Sequence, residues 1–396
     1  MRIAIFTDSF LPFVSGVTFA VLNQANELKR RGHDVRIFRP RPLRNKHRQP
    51  VEELDPGIAV HDIPLSVPVR KLPGLHVVFP TFLSSFAVLR KFKPHVAHLH
   101  TEWGCGWEGL LASKLLKAGT VGTFHTFFAE PEYLKHFHLP RTQAIQKAMW
   151  KYSISFFNRC DRVVTPSTAV RDQLLAHGLK KDPVLLSNGM HRPDFLPKEQ
   201  IDEKRQASNL AGHEPIFIYV GRISQEKSLE QVLEAFRRIV SKYPQSRLAI
   251  VGGGPTEKQL DASIKQQGLD DVVERIGHVP HHQLISDNVP RLGDIFVTAS
   301  KTENQPVSIL EAMAFGLPVI GPRAKGIPEL VTSRSNGILF EPDDVDGLTT
   351  SMEELYTQPE RTKEMGEKAL EEVERHSISY VGQQLEDLYN AITRQE

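Results

Sequence analysis

The chain has 396 residues, of which 40% are hydrophobic and 24% are charged. This length favours two domains of about 200 residues each, and the composition is that of a globular protein and excludes a disordered or fibrous one. No uninterrupted apolar run of about 18 residues occurs, so no transmembrane helix is predicted. The two cysteines are too few for a disulfide framework, and a cytoplasmic location is expected.

The charge is unevenly distributed along the chain. Residues 1–190 contain 26 Lys and Arg against 14 Asp and Glu, whereas residues 191–396 contain 23 against 33. The net charges of the two halves are therefore +12 and −10. A basic first half indicates contact with an anionic surface or substrate, although ordinary drift in surface charge would produce the same asymmetry.

The N-terminal segment has the pattern of a βαβ unit. A hydrophobic strand over residues 2–8 is followed by a loop, a helix over 19–31 and a second strand over 33–38, which predicts a parallel sheet. Gly16, at the junction of loop and helix, would let the backbone approach a phosphate closely. An ordinary turn glycine explains the same residue equally well. The GxGxxG fingerprint of dinucleotide-binding folds is absent.

Histidines mark the ends of two further predicted strands. His95, His98 and His100 share the strand 95–100, but no carboxylate or cysteine stands at a spacing that would make a zinc site with them. His125 ends the next strand, and ligands of open α/β sheets bind at the carboxyl ends of strands. A structural histidine is the alternative for His125. No metal site is predicted.

Two segments of the first half are candidates for a membrane surface. Residues 39–48 are strongly basic and predict a mobile loop, solvated in the simplest interpretation. Residues 127–159 mix aromatic and basic side chains, which fits an amphipathic helix packed on the domain core. Contact with a membrane would require exposed apolar side chains opposite the basic ones.

The second half begins with a polar segment, residues 190–214, that is predicted to be a linker. A strand over 215–222 then ends in Gly221 and Arg222, and Lys227 follows shortly. An arginine fork and a lysine at one strand end are suited to a diphosphate. The later run Gly252–Gly254 has Glu257 where a nicotinamide-dependent oxidoreductase would need glycine, so that function is disfavoured.

A strand, loop and helix over residues 293–315 carry the remaining chemistry. Pro306 is predicted as the first helical residue, and the N-terminus of this helix would favour a phosphate. Glu303 lies in the loop before it and Glu311 lies on the helix. The alternative is a capping segment with two solvated glutamates. Two long helices are predicted to end the chain.

Two features of this half resemble retaining nucleotide-sugar glycosyltransferases of family 4. They are Glu303 and Glu311 with seven residues between them, followed by 312–319, and Gly221-Arg222 with Glu226-Lys227. The resemblance implies an α/β chain of the GT-B class, two Rossmann-like domains facing across a cleft. The implied parts are an acceptor-binding domain (1–190), a nucleotide-sugar-binding domain (191–378) and a C-terminal helix (379–396) that crosses back to the first domain.

The same resemblance implies a role for each matching residue. His125 would contact the transferred sugar, Arg222 and Lys227 the diphosphate, and Glu303 the sugar hydroxyls. The other implied donor-binding residues are Gly16, Gly221, Asn304, Gln305, Pro306, Val307, Ser308, Glu311, Gly277, His278 and Val279. No metal and no cofactor besides the nucleotide sugar are implied. Ser228 departs from the family, which usually has glycine there.

The segments 15–17 and 123–128 are most similar to the diacylglycerol glucosyltransferases and phosphatidylinositol mannosyltransferases of the family. This favours UDP-glucose as donor and a lipid acceptor at an anionic membrane, with the protein peripheral on its inner face. UDP-galactose and GDP-mannose remain alternative donors, and a soluble sugar or a polysaccharide intermediate remains an alternative acceptor. A non-catalytic nucleotide-sugar-binding protein is the alternative function. Nucleic acid is not an expected partner, and the oligomeric state is left open.

Overall fold

The structure, a computed structural model, describes residues 1–13, 15–42, 53–69, 75–79, 83–125, 127, 140 and 142–393. The chain divides into two compact units. One combines Met1–Met190 with Ser377–Glu396, and the other is His191–His376. The first unit is therefore formed from both ends of the chain, and the second is inserted between them.

The described part of the first unit contains a parallel sheet of seven strands and a two-stranded antiparallel sheet. The strands are β1 (Arg2–Phe6), β2 (Asp34–Pro40), β3 (Ala59–Ile63), β4 (Ser66–Pro68), β5 (His76–Val78), β6 (Val96–Leu99), β7 (Gly119–Thr123), β8 (Arg162–Thr165) and β9 (Val184–Leu185). The large sheet has the order β3-β2-β1-β6-β7-β8-β9, and β4 pairs with β5. β1 is apolar from Ile3 to Phe6 and fully buried, as expected for a central strand covered on both faces.

Helices cover this sheet. They are α1 (Gly16–Arg30), α2 (Leu83–Phe92), α3 (Gly104–Leu115), α4 (Gln143–Phe157) and α5 (Thr168–Ala176). The hydroxyl of Ser15 caps α1 by accepting a hydrogen bond from the amide of Thr18. Beyond the end of α1, Gly32 has φ +87°, a conformation that favours glycine, and the predicted end of this helix is confirmed.

The second unit, all of which is described, contains a parallel six-stranded sheet. Its strands are β10 (Ile216–Val220), β11 (Arg247–Val251), β12 (Val273–Gly277), β13 (Ile295–Val297), β14 (Val319–Pro322) and β15 (Gly337–Phe340). Its helices are α6 (Lys198–Ala207), α7 (Leu229–Lys242), α8 (Glu257–Gln266), α9 (His281–Ser286), α10 (Val307–Ala314), α11 (Ile327–Leu330), α12 (Val345–Thr357) and α13 (Pro359–Val373). The strand order is β12-β11-β10-β13-β14-β15.

The last helix, α14 (Ile378–Thr393), belongs to the first unit. Its apolar residues, among them Val381, Leu385 and Tyr389, are buried in one cluster with side chains of β1 and α1. Polar contacts reinforce this packing, because Arg31 bridges Glu27 and Glu386. The helix thus completes the core of the unit that the N-terminus begins.

Four expectations about local structure were wrong. The predicted linker contains α6, whose Arg205 is buried and binds Asp294 and Glu214. The basic run does not begin as a loop, since Arg39 is part of β2 and binds Asp62. Pro306 precedes α10 as its N-cap and is not its first residue. Three helices, α12 to α14, follow β15 where two were expected, because Pro359 starts a new helix at once.

Parts of both candidate membrane segments, residues 43–48, 128–139 and 141, lie outside the described residues. Within the described residues, none of the helices has both the length and the apolar character needed to cross a bilayer.

Candidate functional site

The order in which strands are added to the sheet of the second unit reverses at β10. The chain runs from β10 to β11 and β12 on one side, whereas β13 pairs with the opposite edge of β10 and leads on to β14. The loops after β10 and β13 therefore leave the sheet side by side and turn apart. Open α/β sheets bind their ligands at such a switch point, beyond the carboxyl ends of the strands.

The loop after β10 holds a carboxylate, Glu226, that is bound through one oxygen by its own neighbours. Glu226 is buried, and its Oε1 accepts hydrogen bonds from Arg222 Nη2 at 2.9 Å and Ser224 Oγ at 2.6 Å. Burial opposes ionisation of this carboxyl, but the Ser224 hydrogen bond and the Arg222 charge outweigh it and lower the pKa of Glu226. Glu226 therefore stays charged and holds the Arg222 guanidinium at the strand end.

The loops after β10 and β13 are joined by an ion pair. Lys227 Nζ contacts Glu303 Oε1, which also accepts a hydrogen bond from Ser300 Oγ at 2.8 Å. Burial alone would raise the pKa of Glu303. The Lys227 charge and the hydrogen bonds with Lys227 and Ser300 lower it by more, so the pKa lies below its ordinary value. Two residues predicted for different roles thus meet in one contact.

The N-terminus of α10 lies in the same loop. The amides of Ile309 and Leu310 bond to the carbonyl of Pro306, whereas the amides of Val307 and Ser308 make no hydrogen bond with the described residues. These two amides can donate hydrogen bonds to an anion, and the partial positive charge at the N-terminus of α10 attracts one. In the loop before them, the predicted donor-binding residues Asn304 and Gln305 are both buried.

Glu311 has a partner that the sequence did not reveal. Its Oε1 lies 2.6 Å from Nε2 of His281, the first residue of α9, and the carboxylate is largely buried. The two residues are 30 positions apart, and no motif or spacing links them. In the preceding loop, Gly277 has φ +81° and His278 is exposed, while Val279 is partly buried.

The glycine run after β11 lets this loop pack closely against the backbone of the loop after β10. A Cβ on Gly252 would lie 1.9 Å from the carbonyl oxygen of Gly221, and one on Gly254 would lie 2.2 Å from that of Ile223. The side chain of Glu257 accepts a hydrogen bond from the amide of Gly254. Glu257, the residue that breaks the dinucleotide fingerprint, therefore uses this loop amide for its own hydrogen bond.

The first unit has its own switch point, at β1. The strand β1 lies between β2 and β6, and Asp8 in the loop after it accepts hydrogen bonds from Thr101 Oγ1 at 2.7 Å and the Cys105 amide at 3.1 Å. Asp8 thereby caps α3 from another strand, a contact that sequence analysis missed. Burial raises the pKa of Asp8 to about 6, although these hydrogen bonds lower it. Gly16, the first residue of α1, follows Asp8 by eight positions and is exposed.

His125 lies after β7 and contacts a second histidine. Its Nε2 is 3.0 Å from Nδ1 of His100, and the two rings are stacked. Burial lowers the pKa of His125 to about 4, against a hydrogen bond with the Asn188 side chain that raises it. Among the described residues, no group of three or more His, Cys, Asp or Glu side chains could hold a metal ion.

Two family profiles match the chain. The one described as "Glycosyltransferase Family 4" matches residues 14–191, and "Glycosyl transferases group 1" matches residues 200–372. The chain belongs to glycosyltransferase family 4. It is therefore a retaining hexosyltransferase that uses a nucleotide-sugar donor.

Known members of family 4 match over most of their length. The chain is 28% identical to alpha-monoglucosyldiacylglycerol synthase of Acholeplasma laidlawii, over 86% of this chain and 85% of that one. It is 29% identical to GDP-mannose-dependent alpha-mannosyltransferase of Mycolicibacterium smegmatis, over 90% of this chain and 88% of that one. The crystal structure of Anabaena HepE in complex with UDP matches with a TM-score of 0.78 at 17% identity, covering 99% and 100% of the two chains. The GT-B fold expected from the sequence is thereby confirmed.

For a family 4 enzyme, the charge arrangement in the second unit has a direct chemical use. Arg222, Lys227 and the N-terminus of α10 present positive charge from the loops at one edge of the sheet. Charge that develops on a leaving diphosphate can be stabilised by such preorganised groups. Glu303, ionised beside them, can accept hydrogen bonds from sugar hydroxyls.

Proposed function

We propose that this enzyme transfers glucose from UDP-glucose to a hydroxyl of a membrane diacylglycerol, with retention at the anomeric carbon. The observation that carries the proposal is the convergence of Arg222, Lys227 and Glu303 at the switch point of the second unit. This arrangement combines cations for a diphosphate with a carboxylate for a sugar. The lipid acceptor is supported by the similarity to the Acholeplasma laidlawii synthase, whose name states that product.

In the proposed mechanism, Arg222 and Lys227 bind the diphosphate together with the amides of Val307 and Ser308. Glu303 moves from Lys227 to the hydroxyls of the sugar, assisted by Asn304 and Gln305. The leaving phosphate takes the proton of the acceptor hydroxyl on the face from which it departs, so no separate base is required. His125 contacts the transferred sugar, and Glu311 binds the ribose hydroxyls with the carboxylate oxygen that His281 leaves available.

Apolar exposure in the first unit supports a lipid surface as the source of the acceptor. In the two-stranded sheet and at its end, Leu65, Val67 and Phe79 are 64%, 46% and 62% exposed, and the amide of Phe79 bonds to the carbonyl of Leu65. We call these three residues the β4–β5 patch. Neighbouring exposed apolar side chains are typical of interaction sites, and the net charge of +12 in residues 1–190 is of the sign that anionic lipids attract.

A second candidate is transfer of mannose from GDP-mannose. It is favoured by the similarity to the Mycolicibacterium smegmatis mannosyltransferase, which at 29% identity is as close as the glucosyl relative. The resemblance to family 4 implies that the loop Gly277 to Val279 passes the nucleobase with backbone groups, and these do not distinguish the two bases. A soluble sugar or polysaccharide acceptor is compatible with either donor.

The decisive experiment is incubation of the pure protein with a panel of UDP- and GDP-sugars, with and without diacylglycerol or phosphatidylinositol in liposomes. Released nucleotide and lipid products are followed by mass spectrometry. A glucosylated diacylglycerol formed from UDP-glucose is the expected result. A mannolipid, or a product with soluble acceptors alone, would replace the proposal with its alternative. Binding of a nucleotide sugar without transfer or hydrolysis would contradict it.

A further inference from the structure

Three histidines are linked inside the first unit, at the carboxyl ends of β6 and β7. His98 is held from both sides, by the hydroxyls of Tyr389 at 2.7 Å and Thr123 at 2.6 Å. Its ring lies 4.1 Å from the ring of His100, centroid to centroid. His100 in turn meets His125, with 3.0 Å between Nδ1 of the first and Nε2 of the second.

Each of these imidazoles is neutral at pH 7. Burial lowers the pKa of His98 to about 3 and that of His125 to about 4, and it lowers the pKa of His100 well below the ordinary value. A neutral imidazole carries a single N–H, so one ring nitrogen donates and the other accepts. The contact between His100 and His125 therefore needs one proton, and it is satisfied by a specific pair of tautomers.

The surroundings of His100 determine which pair this is. Its Nε2 is buried with no hydrogen-bond partner among the described residues. A proton on Nε2 of His100 would be an unpaired buried N–H, which is rarer than an unpaired buried acceptor, so the His100 proton lies on Nδ1. Nδ1 of His100 is then the donor and Nε2 of His125 is the acceptor, which leaves the His125 proton on Nδ1.

We propose that His100 is a positioning residue for the transfer reaction. Its Nδ1–H fixes the tautomer and the ring orientation of His125 before substrate binds. The proposal rests on the function proposed above, in which His125 contacts the transferred sugar. His100 itself is buried and acts through His125. A ring that must be held within a fraction of an ångström needs such a second contact, because small misplacements of a group near the reacting centre are costly to the rate.

Two substitutions separate the hydrogen bond from the bulk of the ring. His100→Phe keeps a ring beside His98 but removes the donor. His100→Asn places an amide N–H near the position of Nδ1 and can still donate to His125. We expect kcat/KM to fall by about tenfold to a hundredfold in His100→Phe. In His100→Asn we expect most of this loss to be restored, to within about threefold of the wild type.

The tautomer of His125 is measured independently of activity. Long-range ¹H–¹⁵N spectra distinguish the two ring nitrogens, and the His125 signals are identified by their loss in His125→Gln. The wild type and His100→Asn are expected to show a single tautomer, with the His125 proton on Nδ1, whereas His100→Phe is expected to show a mixture. Should His100→Phe fail to fold, His100→Gln, which also lacks a donor at the Nδ1 position, takes its place.

Equal activity of the phenylalanine and asparagine variants, or an unchanged His125 tautomer in the phenylalanine variant, would overturn the proposal. Failure of the wild type to turn over any donor is a different result. It would refute the proposed function, while the spectra would still decide whether His100 fixes the His125 tautomer.

Discussion

Lys227 and Glu303 neutralise each other at the switch point of the second unit, with side chains that are 21% and 18% exposed. One is expected to bind the diphosphate and the other the sugar. Donor binding is expected to replace this ion pair by a contact of Lys227 with the diphosphate and hydrogen bonds of Glu303 with the sugar hydroxyls.

Breaking this pair should be costly for both stability and turnover. We expect Lys227→Met and Glu303→Gln each to lower the free energy of unfolding by about 1–3 kcal/mol, less than for a fully buried pair. The double variant should lose less than the sum of the two, by about 0.5–3 kcal/mol. Turnover should fall by about a hundredfold or more in every variant that lacks Glu303. Urea unfolding and donor turnover measure the two effects.

The same loop supplies a control. Lys301 pairs with Asp343 in a more exposed position, so Lys301→Met should change stability by less than about 1 kcal/mol and leave turnover intact. Additive losses in the double variant would refute the coupling of Lys227 with Glu303. Retained activity of Glu303→Ala would remove Glu303 from the mechanism.

Glu311 and His281 are expected to act on donor affinity. Glu311→Ala should weaken binding of the nucleoside diphosphate by about tenfold or more, because hydrogen bonds to charged groups contribute about 1.5–3 kcal/mol. His281→Ala, which leaves the carboxylate but removes its partner, should have a smaller effect in the same direction. Titration calorimetry measures both, with Glu341→Ala as a control at an exposed glutamate of the same unit. Unchanged affinity in Glu311→Ala would exclude the ribose contact.

Ser228 adopts a conformation that suits glycine. It has φ 51° and ψ 41° before α7, and its side chain makes no capping hydrogen bond there. Ser228→Gly should therefore relieve strain without losing a contact, and raise the free energy of unfolding by about 0.5–1 kcal/mol. Ser241→Gly, inside the same helix, should instead lower it by about 0.5 kcal/mol. Denaturant unfolding checks both signs, and a destabilised Ser228→Gly would contradict the strain.

The β4–β5 patch should govern binding to anionic vesicles. Replacing Val67 and Phe79 by serine should weaken co-sedimentation by about tenfold or more, since burying one large apolar side chain contributes about 1.5–3 kcal/mol. Leu115→Ser is the matched control, because Leu115 is 71% exposed on α3 of the same unit. Equal effects of the two changes would exclude the patch. Binding that ignored the anionic lipid content would exclude the electrostatic contribution.

Asp8 should make stability depend on pH. Its folded pKa of about 6 lies above the ordinary 3.8, so the charged form is disfavoured in the fold, and stability is gained as pH falls through 6 towards 3.8. Relative to Asp8→Asn, the wild type should gain up to about 3 kcal/mol between pH 7 and pH 4, at ~1.4 kcal/mol per pKa unit. Urea unfolding of both proteins at several pH values gives this difference. A constant difference would show that Asp8 does not titrate in this range.

The strands and the loops at their ends could be predicted from the sequence because both have local signatures. The strand, loop and helix predicted over residues 293–315 are observed as β13, its following loop and α10. Arg222, Lys227 and Glu303 could be proposed as site residues because their types follow buried strands and resemble a family pattern. The meeting of Lys227 with Glu303 could not, since it depends on β10 and β13 being neighbours, and strand order is a long-range property.

The missed contacts have the same origin. Asp8 caps a helix that starts 96 positions later, and His281 binds Glu311 across two loops. Neither pair has a spacing from which a sequence pattern could predict the contact. The helix α6 was mistaken for a linker because its sequence is almost entirely polar, and only Ile201 and Arg205 are buried in it. Pattern reasoning requires an apolar stripe, which this helix lacks.

The bridge between Met190 and Ser377 has a consequence for engineering and evolution. Both residues belong to the first unit, and the amide of Ile378 bonds to the carbonyl of Met190 at 2.8 Å. The point where the chain leaves this unit is thus adjacent to the point where it returns. The gene segment encoding residues 191–376 could be removed and replaced by a linker of a few residues, without interrupting any strand of the first unit. Because the second unit is proposed to bind the donor, donor specificity could then be exchanged between relatives by joining the chain at two adjacent junctions rather than by remodelling the whole chain.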